Sequence, residues 1–422
     1  MAENNSIISK IENRVYKNSI IIAVLLIPYF EPTFNDERLP VVHGVFFLLK
    51  CLSAIVAVAL MVRRQRLRKA SCVFLCIAVF QLFLCGVTAV KGGDVVNIAK
   101  ASASVICMAY LVEVFVRENP DGLIKALGVY FLAYAAVTLV TTLLFPHGLY
   151  LAGGYGAWDT NAVRYFAGHK NQLVPSLLPG YVICGVAWLR AGDAERSRRV
   201  TALALTVGYG VTMLVIALVA DSVTSAIVSA LLLVAIPLCR VSGVQRVPAA
   251  IWMVIVLVVD VLVSLLRVQN LGTWFVALLG RGTTLSGRTA IWDAAEQAIV
   301  REPIVGHGVL PDDAMRDALG GFQTAHNVFL TTAFYGGAVG IALLVACLLV
   351  AARELARNKG AVATFFALCI AAVLVNGIFE SLGMGLTVLA FPLILAGSCG
   401  WIAGGGTDAD ARQPLQAGAH RG

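Results

Sequence analysis

Apolar residues in this chain gather in long unbroken runs, and the polar residues are confined to the breaks between them. The runs place candidate spans at 19–34, 41–62, 71–90, 99–116, 122–145, 171–189, 200–220, 223–239, 249–267, 328–351, 361–379 and 384–402. Runs of about 20 apolar residues suit a helix crossing a bilayer, whereas barrel strands need only about ten residues, alternating in character. Because backbone in lipid must satisfy its own hydrogen bonds, the pattern predicts transmembrane helices and excludes a β-barrel. The expected fold class is all-α, a polytopic bundle of about 12 transmembrane helices forming one domain over residues 1–402. Residues 403–422 are small, polar and aperiodic, and read as a disordered cytoplasmic tail. The first run contains Pro28 and lacks a small-residue cleavage site, so it reads as a retained span and not a signal peptide.

Composition narrows the class further. With 59% hydrophobic and 13% charged residues and a mean hydropathy of +0.84, the chain is not a water-surrounded globule. Membrane lipids are the expected surroundings, and nucleic acid is not an expected partner. With both termini cytoplasmic, 21 of the 32 Lys and Arg residues fall on the inner side, the bias expected of cytoplasmic loops. An odd span count would misplace one of the basic clusters. The long segments 146–170 and 268–327 then face outward. All ten cysteines lie in or beside apolar runs, which argues against a disulfide framework.

Outward loops are normally poor in basic residues, yet these carry Arg164, Lys170, Arg281, Arg288, Arg301 and Arg316. A guanidinium offers a planar fork of donors matched to phosphate oxygens, so the density points to an anionic substrate. Contact with lipid headgroups, or pairing with Asp293, Glu296, Asp312 and Asp313, is the plainer alternative. Within 268–327, Trp274, Phe275, Leu278 and Leu279 form an amphipathic piece, and a periodic helix follows from Thr289 to Val300. Arg288 therefore stands at a helix N-terminus, where free N–H groups already favour anions. Gly306-His307-Gly308 reads as a tight turn that either approaches a ligand or simply reverses the chain. Arg164 and Lys170, beside His169, offer a second half of a phosphate clamp. Asp221, Ser222, Glu380 and Ser381 sit in short outward loops, where they can hold sugar hydroxyls, assist proton transfer or cap helices.

His326-Asn327 follows, nine residues before Gly337 and its partner Gly340. Thr324 is the expected cap of a helix whose first turn holds both residues, and such a position keeps an imidazole neutral and able to accept a proton. An interfacial anchor is the other reading of a histidine there. Lys50 and Asp260 fall near the middle of the second and ninth runs. Charges so placed pair, line a wet cavity or mark a proton pathway, the last being the support for a flippase or transporter. No internal repeat relates the two halves of the chain.

The chain resembles the bacterial O-antigen ligases, within the wider O-antigen ligase and polymerase family of envelope glycosyltransferases. The residues that carry the resemblance are His326-Asn327 with Gly337 and Gly340, Arg281-x-x-x-Leu285, Ser286-Gly287-Arg288-Thr289-x-x-Trp292 and Pro303-x-x-Gly306-His307-Gly308. One departure falls at the start of the eighth run, where Asp221-Ser222-Val223 replaces the Ser-Arg pair of many relatives; no phosphate contact is assigned there. The resemblance implies a multi-pass protein of the bacterial inner membrane with its large helical loop, between spans nine and ten, in the periplasm. It implies transfer of polysaccharide from undecaprenyl diphosphate to the lipid A-core oligosaccharide of lipopolysaccharide, with inversion and without metal or cofactor. His326 would be the general base and Arg288 the catalytic cation, with Arg164, Lys170, Arg281, His307, Asn327 and Glu380 contacting substrate. O-antigen polymerase and protein O-oligosaccharyltransferase share the donor and differ in acceptor.

Overall fold

The structure is a computed structural model describing residues 18–63, 70–156, 159–191, 196–268, 287–383 and 385–404. The expectations for Arg281, for the amphipathic piece at 274–279 and for residues 405–422 fall outside these. Helices dominate the described residues. In chain order they are α1 (Ser19–Leu26, extended by a 3-10 turn to Phe30), α2 (Thr33–Arg38), α3 (Pro40–Arg63), α4 (Cys72–Val90), α5 (Val95–Glu118) and α6 (Pro120–Leu144). After a hairpin come α7 (Leu173–Arg190), α8 (Arg196–Val219), α9 (Val223–Leu238), α10 (Ser242–Gln245) and α11 (Ala249–Asp260, loosening into a π turn at Val261–Leu265). The remainder is α12 (Arg288–Arg301), α13 (Asp312–Ala318), α14 (Val328–Arg357), α15 (Ala361–Phe379), α16 (Thr387–Gly397) and α17 (Cys399–Ile402).

By length and composition, eight of these can cross a membrane: α3 through α8, α14 and α15. The apolar helices at Ser19–Phe30, Val223–Leu238, Ala249–Leu265 and Thr387–Gly397 are shorter. Each of the twelve apolar runs thus contains a helix, eight of full spanning length. The axis of the bundle is α7 and α15, buried over 78% and 72% of their spans, while α3 at 11% turns most of its surface to lipid. One strand pair supplements the all-α expectation: β1 (Tyr150–Gly156) and β2 (Asp159–Arg164) form an antiparallel hairpin inside the 146–170 loop.

Helix starts are set by short polar side chains meeting the first free N–H groups. Ser71 caps α4 by accepting from Phe74 N at 3.1 Å, and Glu113 of α5 in turn accepts from Ser71 N and Oγ at 2.7 and 2.8 Å. Asp94 caps α5, and Asn119 caps α6 with Pro120 at the first helical position. The cap of α14 differs from the sequence expectation. Asn327, not Thr324, is the N-cap, accepting from Phe329 N and Leu330 N at 2.8 Å each, so His326 precedes the helix.

Helix α14 is broken at Gly337 (φ 58°, ψ −155°). In an unbroken helix Ala338 N would bond to Phe334 O and Val339 N to Tyr335 O. Here segment 303–308 inserts into the gap. Ala338 N and Val339 N donate to Pro303 O and Ile304 O at 2.8 and 3.1 Å, while His307 N and Gly308 N donate to Phe334 O and Tyr335 O at 2.8 and 3.0 Å. Both orphaned pairs are re-satisfied, as backbone at membrane depth requires. The close approach leaves no room for side chains. A Cβ at Gly337 would collide with the Ile304 carbonyl, and one at Gly306 would lie 2.6 Å from the Gly336 and Gly337 nitrogens. The same loop is pinned at Val309, whose carbonyl accepts from Asp94 N at 2.7 Å and whose N–H donates to Thr88 Oγ1 at 3.0 Å.

Gly337→Ala is expected to lower stability by about 2–3 kcal/mol or more, the cost of a strained backbone compounded by backbone collision. Gly208→Ala, in α8 with open space around the added methyl, should leave it unchanged or slightly raised. Thermal unfolding of the two detergent-solubilised variants against the parent measures both.

Candidate functional site at one rim of the bundle

Five separate chain segments meet where α15 ends. Glu380, the first residue past Phe379, is 13% exposed through its side chain and lies at their centre. Arg288 Nη2, from the start of α12, donates to Glu380 Oε1 at 2.6 Å, and Arg288 Nε donates to Phe379 O at 3.0 Å. Asn171 Nδ2, just before α7, donates to the same Oε1 at 2.8 Å. Ser222 Oγ, at the N-cap of α9, donates to Asn171 Oδ1 at 2.8 Å. His326 Nδ1, before α14, lies 3.3 Å from Glu380 Oε2.

Burial pushes the Glu380 carboxyl upward, but the His326 hydrogen bond and charge, with the Arg288 guanidinium, outweigh it and hold the group below the usual carboxylate range. Beside it, half-buried His169 is lowered to about 4. Burial is the chief cause, with the Arg164 and Lys170 charges, and it prevails over the opposing pull of Glu380. His169 is therefore uncharged at neutral pH. Lys170 Nζ is tied to Asp221, 3.2 Å from its carbonyl and 3.7 Å from Oδ2.

Local backbone explains how these side chains converge. Segment 165–172 is a tight turn closed by the Tyr165–Gly168 bridge, with Gly168 at φ 112° packed on Thr33 and Gln172. Asp221 (φ 50°) makes the hinge between α8 and α9; its side chain meets Lys170 and is not a helix cap, which corrects that simpler account. Gly287 in the left-handed region (φ 84°) launches α12, whose first turn holds no acidic residue. Helix α12 is docked by Arg267, which pairs with Asp293 and Glu296 at 2.7 and 2.9 Å and lies over the Trp292 ring.

His326 itself is left-handed (φ 45°), with Thr324 Oγ1 accepting from its N–H at 3.3 Å. Fully buried Asn327 turns away from it. Its Nδ2 donates to Asp260 Oδ1 at 2.6 Å and to Ile378 O at 3.1 Å, while its Oδ1 caps α14. Asp260 is thus not a mid-span charge, as the run at 249–267 suggested. It ends α11 and bonds to the residue beside His326. Lys50 acts on Glu31 through its charge.

Of the sequence-predicted site residues, Arg288, His326, Lys170, Asn327 and Glu380 assemble here. Arg164 is buried at 1% exposure, its Nε 3.7 Å from Glu37 Oε1. His307 is engaged elsewhere, with Nε2 2.8 Å from Ala298 O and its ring stacked on Phe334 at 4.7 Å, so it locks the loop into the break of α14. Asn171 and Asp260 were not assigned to the site; one signal for Asn171 was its place directly after Lys170.

The fold and this polar rim define a multi-pass helical membrane protein with ionisable groups collected at one end of the bundle. Residues 209–345 match the family model described as O-antigen ligase, which supports assigning the chain to the O-antigen ligase family, with ligase- or polymerase-type activity and membrane glycosyltransferase-like members. The matched region contains Arg288, His326, Asn327, Gly337 and Gly340, whereas Lys170 and Glu380 lie outside it. A comparison with curated proteins gives no match.

Asn327→Ala is expected to cost about 2–4 kcal/mol, from loss of the helix cap and from a buried Asp260 carboxylate left without its donor. Asn327→Asp keeps the cap oxygen but sets two carboxylates 2.6 Å apart. One proton shared between them restores the contact, so this variant should gain stability as pH falls. Melting temperatures at pH 5 and pH 8 give the sign.

Proposed function

We propose that this protein is an O-antigen ligase that transfers polysaccharide from an undecaprenyl diphosphate carrier to a sugar hydroxyl of the lipid A-core, on the periplasmic face of the inner membrane. The observation that carries the reading is the meeting of His326 and Arg288 on one carboxylate at the rim, which sets an imidazole beside a guanidinium. The acceptor oxygen attacks the anomeric carbon of the donor sugar as its proton passes to His326. The bond from that carbon to the diphosphate oxygen breaks, and its electron pair leaves with the carrier diphosphate. A single displacement inverts the centre. Arg288 and the first turn of α12 offset the charge developing on the leaving group, aided by Lys170 across the rim. Guanidinium and helix N–H groups supply this stabilisation, so the reaction is assigned no metal.

Removing His326 as a base should lower transfer by roughly 10²–10⁴-fold, and Arg288→Ala by roughly 10²–10³-fold, with folding and expression retained. The assay is the purified protein in liposomes with carrier-linked glycan and rough lipopolysaccharide, read by product on the lipid A-core and repeated in EDTA. Near-normal transfer by either variant would remove the role given to that residue, and loss of transfer in EDTA would remove the metal-free step. Lengthened carrier-linked chains in place of core product would make the protein a polymerase.

A further inference from the structure

We propose that Glu380 is the positioning residue of this reaction: one carboxylate fixes His326 with its proton on Nδ1, leaving Nε2 to take the acceptor proton, and holds Arg288 beside it. This rests on reading His326 as the base.

The tautomer follows from the partners of each oxygen. Ser222 Oγ–H donates to Asn171 Oδ1 at 2.8 Å, which turns the Asn171 amide nitrogen toward Glu380 Oε1, 2.8 Å away. Arg288 Nη2 occupies the same oxygen at 2.6 Å and has no acceptor capacity. The carboxylate cannot rotate without losing both donors, so Oε2 is held toward His326 Nδ1 at 3.3 Å. An oxygen of an ionised carboxylate only accepts; the imidazole nitrogen facing it must carry the hydrogen. A neutral imidazole has one N–H, and Nε2 is then bare.

The charged and titratable groups around this carboxylate divide cleanly. Arg288 comes from α12 and His326 from the start of α14. His169 and Lys170 come from the turn before α7, with Asp221, from the hinge before α9, paired to Lys170. His169 sits near 4 and stays neutral through the working range, which leaves His326 as the imidazole whose protonation Glu380 governs there.

A residue that merely docked α12 on α15 would affect stability without touching the proton. Glu380→Gln separates the two roles, because it keeps an oxygen and an NH₂ group of similar shape but removes the charge that favours imidazolium. In the reconstituted assay, maximal transfer should fall by roughly 10²-fold or more, as when an orienting carboxylate is lost from a base. The acid limb of the rate profile should move to lower pH by about one unit, with the donor KM changed much less than kcat. A fall in rate with an unmoved acid limb would overturn the assignment, as would unchanged transfer. If Glu380→Gln does not fold, the parent decides: ¹⁵N-histidine spectra, with His326 assigned by difference from His326→Asn, should show an Nδ1–H tautomer, and an Nε2–H tautomer would overturn it. Substantial transfer by His326→Ala would instead remove the base reading, an outcome distinct from both.

Discussion

A carboxylate withdrawn from water at the edge of a lipid-embedded bundle must be matched by donors, or it destabilises the fold around it. Glu380 meets that constraint with Arg288, Asn171 and His326, taken from chain segments as far apart as residues 171 and 380. The consequence reaches well past the side chain. Satisfying it sets how α12 docks on the end of α15, how the turn before α7 faces α9 through Ser222, and where the approach to α14 lies. The polar rim is in this sense one hydrogen-bond network with a single acceptor at its centre, and the helices are held at the spacing the network needs.

A second constraint comes from the backbone. The break in α14 exposes two carbonyls and two N–H groups in surroundings where none can stay unpaired, and the loop at 303–308 supplies a complement for each. This exchange ties the outward segment to a spanning helix more firmly than side-chain packing alone would. It also gives the glycines at 306 and 337 a shared reason: each lets the other's backbone approach. His307, between them, stacks on Phe334 and closes the joint.

Much of this was legible from the chain. The apolar runs marked the helices, because lipid imposes a length that sequence displays directly. Arg288 was read at a helix start, and α12 begins there. His326, Asn327 and Glu380 were visible as polar residues at the ends of runs. What stayed hidden has specific physical causes. Apolar character continues through 261–265, so nothing in hydropathy announced that the α-helix ends at Asp260 and loosens into a π turn. The cap was misplaced by three residues because a left-handed histidine leaves no periodic trace; Thr324 looked like the nearer cap. The pattern at Gly337 was recognisable, but its cause was not, since the loop that fills the break lies about 30 residues upstream. Arg164 shows the reverse error: its charge suggested an exposed clamp, while the hairpin folds it into a buried pairing with Glu37.

The left-handed backbone at His326 separates two neighbours that a regular helix would place in related surroundings. His326 keeps a side chain 28% exposed, while Asn327 is completely enclosed beside Asp260. Consecutive Cα atoms are about 3.8 Å apart. The passage from a hydrated, high-dielectric medium to a shielded, low-dielectric one is therefore compressed into a single peptide unit. On one side of it a proton can be exchanged with water; on the other, every polar atom is committed to structure.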